Sequence, residues 1–140
     1  MKTKRYFAYG SNMNVEQMGL RCPEAEVVGI GTLEGYTLKE RTHADVDFTG
    51  KSGDRVWGVI WEITEDCLKA LDSYEGFPRY YTRMNVPVVD DGGQIMECIV
   101  YEMTPRMKRE RVGQYGSYYR MVCHVGAVEN GLPVSEYIPT

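Results

Sequence analysis

Apolar and polar positions along the chain alternate in short segments broken by glycine. Lys4 to Tyr9 is an aromatic, apolar run that stops at Gly10, which predicts a first strand. From Asn12 to Leu20, Val15, Met18 and Leu20 fall on one side, predicting a short helix with Ser11 or Asn12 as its cap. Ala25 to Leu38 is β-rich but punctuated by Gly29, Gly31 and Gly35, the pattern of bent or bulged strands in a small barrel. Asp45 to Phe48 reads as a short strand and Thr49 to Asp54 as a turn. Arg55 to Ile63 is apolar on both faces and belongs in the interior of a sheet. Thr64 caps a helix whose buried face is Cys67, Leu68 and Leu71, running to about Tyr74, with Gly76 able to end it in the left-handed conformation. Met84 to Val89 and Gln94 to Tyr101 are two strands joined at Asp90-Asp91-Gly92-Gly93. A last helix carries Tyr115, Tyr118, Tyr119, Val122 and Val125 at helical spacing, and Asn130-Gly131 stops it. Strands with interspersed short helices, without regular βαβ alternation, indicate an α+β fold.

Composition narrows the function. At 140 residues, 43% hydrophobic and 26% charged, the sequence is that of one folded domain, taken as 1–140. A net charge of −4 argues against nucleic acid as a partner, which would require a surplus of Lys and Arg. The basic run Arg106 to Arg111 reads as solvated surface. Met1 to Arg5 is basic, yet Gly10 interrupts the following residues before any apolar stretch of signal-peptide length. No later run approaches the roughly 20 apolar residues of a membrane span, so a cytoplasmic location is expected. Cys22, Cys67, Cys98 and Cys123 are widely spaced and form no C-x-x-C pair, nor do His43 and His124 cluster with them. They read as reduced core thiols, not as a metal site or disulfides.

Two features can carry chemistry. A strand passing through Gly10-Ser11-Asn12 into a helix gathers backbone N–H groups at a helix start, which suits an anion; it equally suits an ordinary capped turn. Gly10 would let a ligand approach the backbone closely. Walker and dinucleotide-loop spacings are both missing from it. Glu75 sits at a helix C-terminus among aromatic residues, where the dipole and desolvation both disfavour its charged form and make it a better proton acceptor. Alone, it could equally be a solvated surface carboxylate.

Together with their surroundings these features resemble the gamma-glutamylcyclotransferase family. Tyr6-Phe7-Ala8-Tyr9-Gly10-Ser11-Asn12-Met13 is similar to that family's opening signature, and Asp54-Arg55-Val56-Trp57-Gly58-Val59-Ile60-Trp61 to its central strand. Leu71-Asp72-Ser73-Tyr74-Glu75-Gly76 resembles the segment holding its catalytic glutamate, and Gly126-Ala127-Val128-Glu129-Asn130-Gly131-Leu132-Pro133 its C-terminal signature. The four blocks keep the family's order. The resemblance implies a small mixed β-barrel of about five to seven strands with flanking short helices. It implies closure of a γ-glutamyl amide to 5-oxoproline with release of the amine, without metal or cofactor. By the same resemblance Glu75 moves the protons, the turn Tyr9, Gly10, Ser11, Asn12 and Met13 binds the glutamyl end, and Tyr119 touches substrate.

The chemistry suits such a site, because the substrate brings its own nucleophile, the α-amine, and ring closure is intramolecular. One carboxylate near both nitrogens can take a proton from the first and give one to the second. His43, Arg79 and Arg83 are further candidates for substrate contact. A small γ-glutamyl amine or amino acid is the expected substrate. Rival readings are a γ-glutamyl group on a carrier protein and a member of the fold that binds without turnover. A carrier protein and a second copy of the chain, as a homodimer, are the candidate protein partners.

Overall fold

The computed structural model describes residues 2–139. Strand β1 (Thr3–Ala8) leads through a 3-10 turn (Ser11–Met13) into helix α1 (Val15–Arg21). Then come β2 (Glu26–Glu34), β3 (Tyr36–Glu40), β4 (Ala44–Phe48) and β5 (Arg55–Thr64), followed by α2 (Glu65–Glu75). The chain finishes with β6 (Tyr81–Asp90), β7 (Ile95–Met103), α3 (Pro105–Glu110) and α4 (Ser117–Glu129). β1, β5, β2, β6 and β7 close in that order into a five-stranded barrel, while β3 and β4 form a separate two-stranded sheet. Closure comes from a parallel contact of β1 with β7 at Tyr6 and Ile99; the other barrel pairs are antiparallel. The expected small mixed barrel with flanking helices is what forms.

β5 is interior, pairing with β1 on one side and β2 on the other. Its two apolar faces feed two cores, as period-2 alternation requires. Phe7, Leu33, Val56, Ile60, Val88 and Val100, from all five barrel strands, meet in one cluster. Tyr6, Val59, Trp61 and Ile63 pack with Met18, Leu71, Cys123 and Ala127 of the helices in the other. The expected bulge in β2 lies between Val27 and Gly29. Thr64 caps α2 by accepting from the Cys67 N–H, and Gly76 ends it at φ 66°, ψ 34°, a backbone shape glycine adopts without steric penalty. All four cysteines are buried and free.

Three expectations change. Neither Ser11 nor Asn12 caps α1: Asn14 does, accepting from Gln17 N–H at 3.0 Å, because the Asn12 side chain is engaged elsewhere. On α4, Val122, Cys123, Gly126 and Ala127 face the core, while Tyr118 and Val125 are exposed and Tyr115 precedes the helix. The close approach of Gly126 to the Met13–Asn14 backbone fixes that rotation, since a Cβ there would lie 2.6 Å from the Asn14 nitrogen. Finally, the basic run is helix α3, and Lys108 is not solvated. Its ammonium bridges Asp45 (2.9 Å), Asp47 (2.5 Å) and Glu102 (3.0 Å). Asp45 is fully buried and also accepts from the Arg41 guanidinium and the Met103 N–H, which ties the β3–β4 hairpin to the barrel. Among the described residues no helix is long and apolar enough to cross a membrane.

Candidate active site

β1 delivers Tyr9 and Gly10 at the end of the barrel where α2 also stops, so the turn and Glu75 arrive at one place. They line a cavity of about 300 Å³. Tyr9, Gly10, Ser11, Asn12, Glu75 and Tyr119 all reach it, as does His43. Met13 does not: it is fully buried in the core beneath the turn. Arg79 and Arg83 also stay out of the lining, and Arg83 is held by Asp72 at 2.8 Å and stacks over Phe77.

The turn is held by its carbonyls. Tyr9 C=O accepts from the Tyr137 hydroxyl, and Gly10 C=O from Met13 N–H at 3.1 Å. Ser11 C=O accepts from Asn14 N–H at 3.0 Å, Asn12 C=O from the Trp61 indole at 2.9 Å, and Met13 C=O from the Asn130 amide at 2.8 Å. By contrast, the N–H groups of Gly10, Ser11 and Asn12 donate to no acceptor among the described residues. With every carbonyl turned to the protein and successive donors unspent, the turn presents positive partial charge, which favours an anion or a developing oxyanion. Side chains complete the wall. Asn12 Nδ2 donates to the Tyr6 hydroxyl at 3.0 Å, and Ser11 Oγ shares a hydrogen bond with Tyr74 at 3.2 Å. A Cβ on Gly10 would stand 2.9 Å from the Tyr119 hydroxyl and 3.1 Å from the Ala44 methyl, so the narrow fit of these three elements needs glycine.

Glu75 lines the same cavity as the turn and is half-buried. Burial pushes its carboxyl up to about 7, and the nearby Arg21 charge pulls in the other direction. Aromatic neighbours do desolvate it, as the sequence suggested. Around it Tyr6, Tyr9, Tyr81 and Tyr119 have phenols raised well above their ordinary range by burial, so they stay protonated and uncharged. His43 packs edge-on against Tyr119 with centroids 4.8 Å apart, and burial together with Arg111 lowers its pKa. Ala44 ties this wall together, donating to Tyr119 at 3.1 Å and accepting from Tyr81 at 2.7 Å.

Sequence reasoning placed Tyr80 and Tyr81 beside Glu75 but gave Tyr6, Tyr74 and Tyr101 no role at the site, and all five line the cavity. The only signal was the count of 11 tyrosines, which does not distinguish a cavity wall from core. It also missed what the fourth sequence block does. Gly126 and Asn130 have no place in the cavity lining; they clamp α4 onto the turn, and Glu129 of the same block accepts from Val15 N–H at 2.7 Å.

Against known proteins, the profile of the family described as gamma-glutamyl cyclotransferase, AIG2-like, matches residues 6–120. A gamma-glutamylcyclotransferase of Bos taurus is 34% identical over 140 residues, covering 92% of this chain and 72% of that protein. The Homo sapiens gamma-glutamylcyclotransferase is 33% identical over 140 residues with the same two coverages. A solved structure named gamma-glutamyl cyclotransferase superposes with a TM-score of 0.85 at 28% identity, covering 99% of this chain and 90% of that one.

Proposed function

The chain belongs to the gamma-glutamyl cyclotransferase, AIG2-like family and is an enzyme of it, and on that premise we propose how its cavity works. A γ-glutamyl amide enters with its glutamyl end on the Tyr9–Asn12 part of the turn and its γ-carbonyl toward Glu75. The α-amine attacks the γ-carbonyl carbon, forming the new N–C bond of 5-oxoproline, and the amide C–N bond breaks to release the amine. Glu75 takes the proton from the attacking nitrogen and gives one to the departing nitrogen, so no proton is gained or lost overall. The free N–H groups of Gly10, Ser11 and Asn12 bind the substrate carboxylate or the oxyanion of the tetrahedral intermediate. Tyr119, between Gly10 and His43, contacts the substrate from the third wall. No electrons change hands and no outside nucleophile enters, so the chemistry asks for no cofactor.

One observation carries this reading: a carboxyl poised near neutrality and a turn with unspent donors share one cavity of about 300 Å³. A group with a pKa near the working pH exchanges protons in both directions at little cost, which a two-proton reaction on one residue requires. Holding the substrate folded supplies the rest, since ring closure gains from proximity. The chain acts as one domain, residues 1–140, in which segments as far apart as Tyr6 and Tyr137 reach the same turn. Four buried free thiols suit a cytoplasmic setting.

The test is incubation with a panel of γ-glutamyl compounds, amino-acid-linked, amine-linked and carrier-protein-linked, with 5-oxoproline scored by mass spectrometry. Release from at least one free compound is expected. Release from the carrier-linked arm alone would assign a protein partner, and silence across the panel would remove the cyclotransferase reading.

A further inference from the structure

Arg21, the last residue of α1, is not among the residues lining the cavity, yet it touches both halves of the proposed site. Its guanidinium donates to Asn12 Oδ1 at 2.8 Å and, one helical turn back, to Gln17 Oε1 at 3.1 Å. The same planar group lies 3.6 Å from the centroid of the Tyr74 ring. Tyr74 shares its hydroxyl hydrogen bond with Ser11 and is the chain neighbour of Glu75. The contacts therefore close a ring, from Ser11 to Tyr74, to Arg21, to Asn12 and back along the backbone. Only arginine suits this place: its face stacks on an aromatic ring while its edge donates two in-plane hydrogen bonds, whereas a lysine ammonium is a point charge.

We infer that Arg21 is a positioning residue whose guanidinium clamps the Ser11-Asn12 turn to the end of α2, setting the separation between the substrate's glutamyl end and Glu75. The inference rests on the roles proposed above for the turn and for Glu75. Its electrostatic side follows from the surroundings of that carboxyl. Tyr6 and Tyr9 from β1 and its end, Tyr81 from β6 and Tyr101 from β7 face Glu75 as phenols raised by burial. Arg21 from α1 is the charge that acts on Glu75 among the described residues, opposing the effect of burial.

Arg21→Lys and Arg21→Gln separate the clamp from the charge. Wild type, both variants and Glu75→Gln are assayed from about pH 6 to 9 on the γ-glutamyl compound that wild type converts fastest, with thermal melts alongside. In Arg21→Lys the charge stays and the fork is lost. Its kcat is expected to fall about tenfold, as misplacement of reacting groups does, with the acidic limb of the pH profile unmoved. Arg21→Gln should lose a similar factor and also move that limb to higher pH, because burial then acts on Glu75 unopposed. Should Arg21→Gln not fold, the kcat of Arg21→Lys decides. Folded variants with kcat within about twofold of wild type and an unmoved limb, beside an inactive Glu75→Gln, would overturn the clamp while leaving Glu75 in its role. Full activity in Glu75→Gln would overturn both.

Discussion

The two sides of the cavity are built in opposite ways. The turn is over-determined: five carbonyls from Tyr9 to Met13 are bonded by groups from four parts of the chain, and Ser11, Asn12 and Met13 are buried. Glu75 is placed by its helix and by the left-handed Gly76 that stops it, and it is acted on by burial and one charge. The difference fits the tasks proposed for them. Donors aimed at a developing charge help only if they need not reorganise, whereas a proton carrier must face two nitrogens in succession. Hydrogen bonds are concentrated on the side proposed to bind charge, and fewer hold the side proposed to move protons.

The contrast can be broken from either side. Glu75→Gln keeps the shape and removes the proposed proton carrier, so kcat should fall by about 10²–10⁴ in a 5-oxoproline release assay. The same variant should be more stable than wild type at pH 8. Glu75's raised pKa means that folding binds a proton the unfolded chain gives up above about 4.5, so stability present at low pH is lost between about 4.5 and 7. Removing that penalty, of the order of 1–3 kcal/mol, should raise the denaturant midpoint at pH 8 and leave it unchanged near pH 4. Gly10→Val attacks the rigid side. Its Cβ meets the Tyr119 hydroxyl and Ala44 at about contact-breaking range, so KM should rise by about tenfold or more, with a smaller change in kcat. In wild type, kcat/KM should increase about tenfold from pH 6 to pH 8 as Glu75 loses its proton, a profile that a flat pH response would contradict. The smallest effect is expected for Asn130→Ala, which leaves Met13 C=O without its partner and should cost about 1–3 kcal/mol in urea unfolding.

What was legible in the sequence follows the reach of each interaction. α2 could be read almost to the residue because its determinants, Thr64, the Cys67-Leu68-Leu71 face and Gly76, lie within or beside it. β5 was legible because both its faces are apolar and both are covered. The start of α1 was misread because Asn12, a fair cap by type, is taken by Tyr6 and by Arg21, contacts no local rule contains. The buried side of α4 was not legible because it is set by Gly126, the smallest residue on the helix, which turns toward the chain at Met13 and Asn14. Lys108 looked solvated because Asp45 and Glu102, its partners, stand far away in sequence or on another element. For the site, blocks of sequence resembling a family brought Glu75 and the turn together; residue chemistry alone left each with an ordinary alternative.

The turn that begins near residue 9 depends on partners near the other end of the chain. Met13 waits for Asn130, 117 positions later, and Tyr9 for Tyr137, 128 positions later. Loops of that length close slowly, because chain entropy opposes them until other contacts are in place. Barrel pairing between β1 and β5 and between β6 and β7 can form before those last segments join. Refolding followed by far-ultraviolet circular dichroism should therefore run ahead of the return of activity, the proposed cradle being among the last parts of the molecule to acquire its shape.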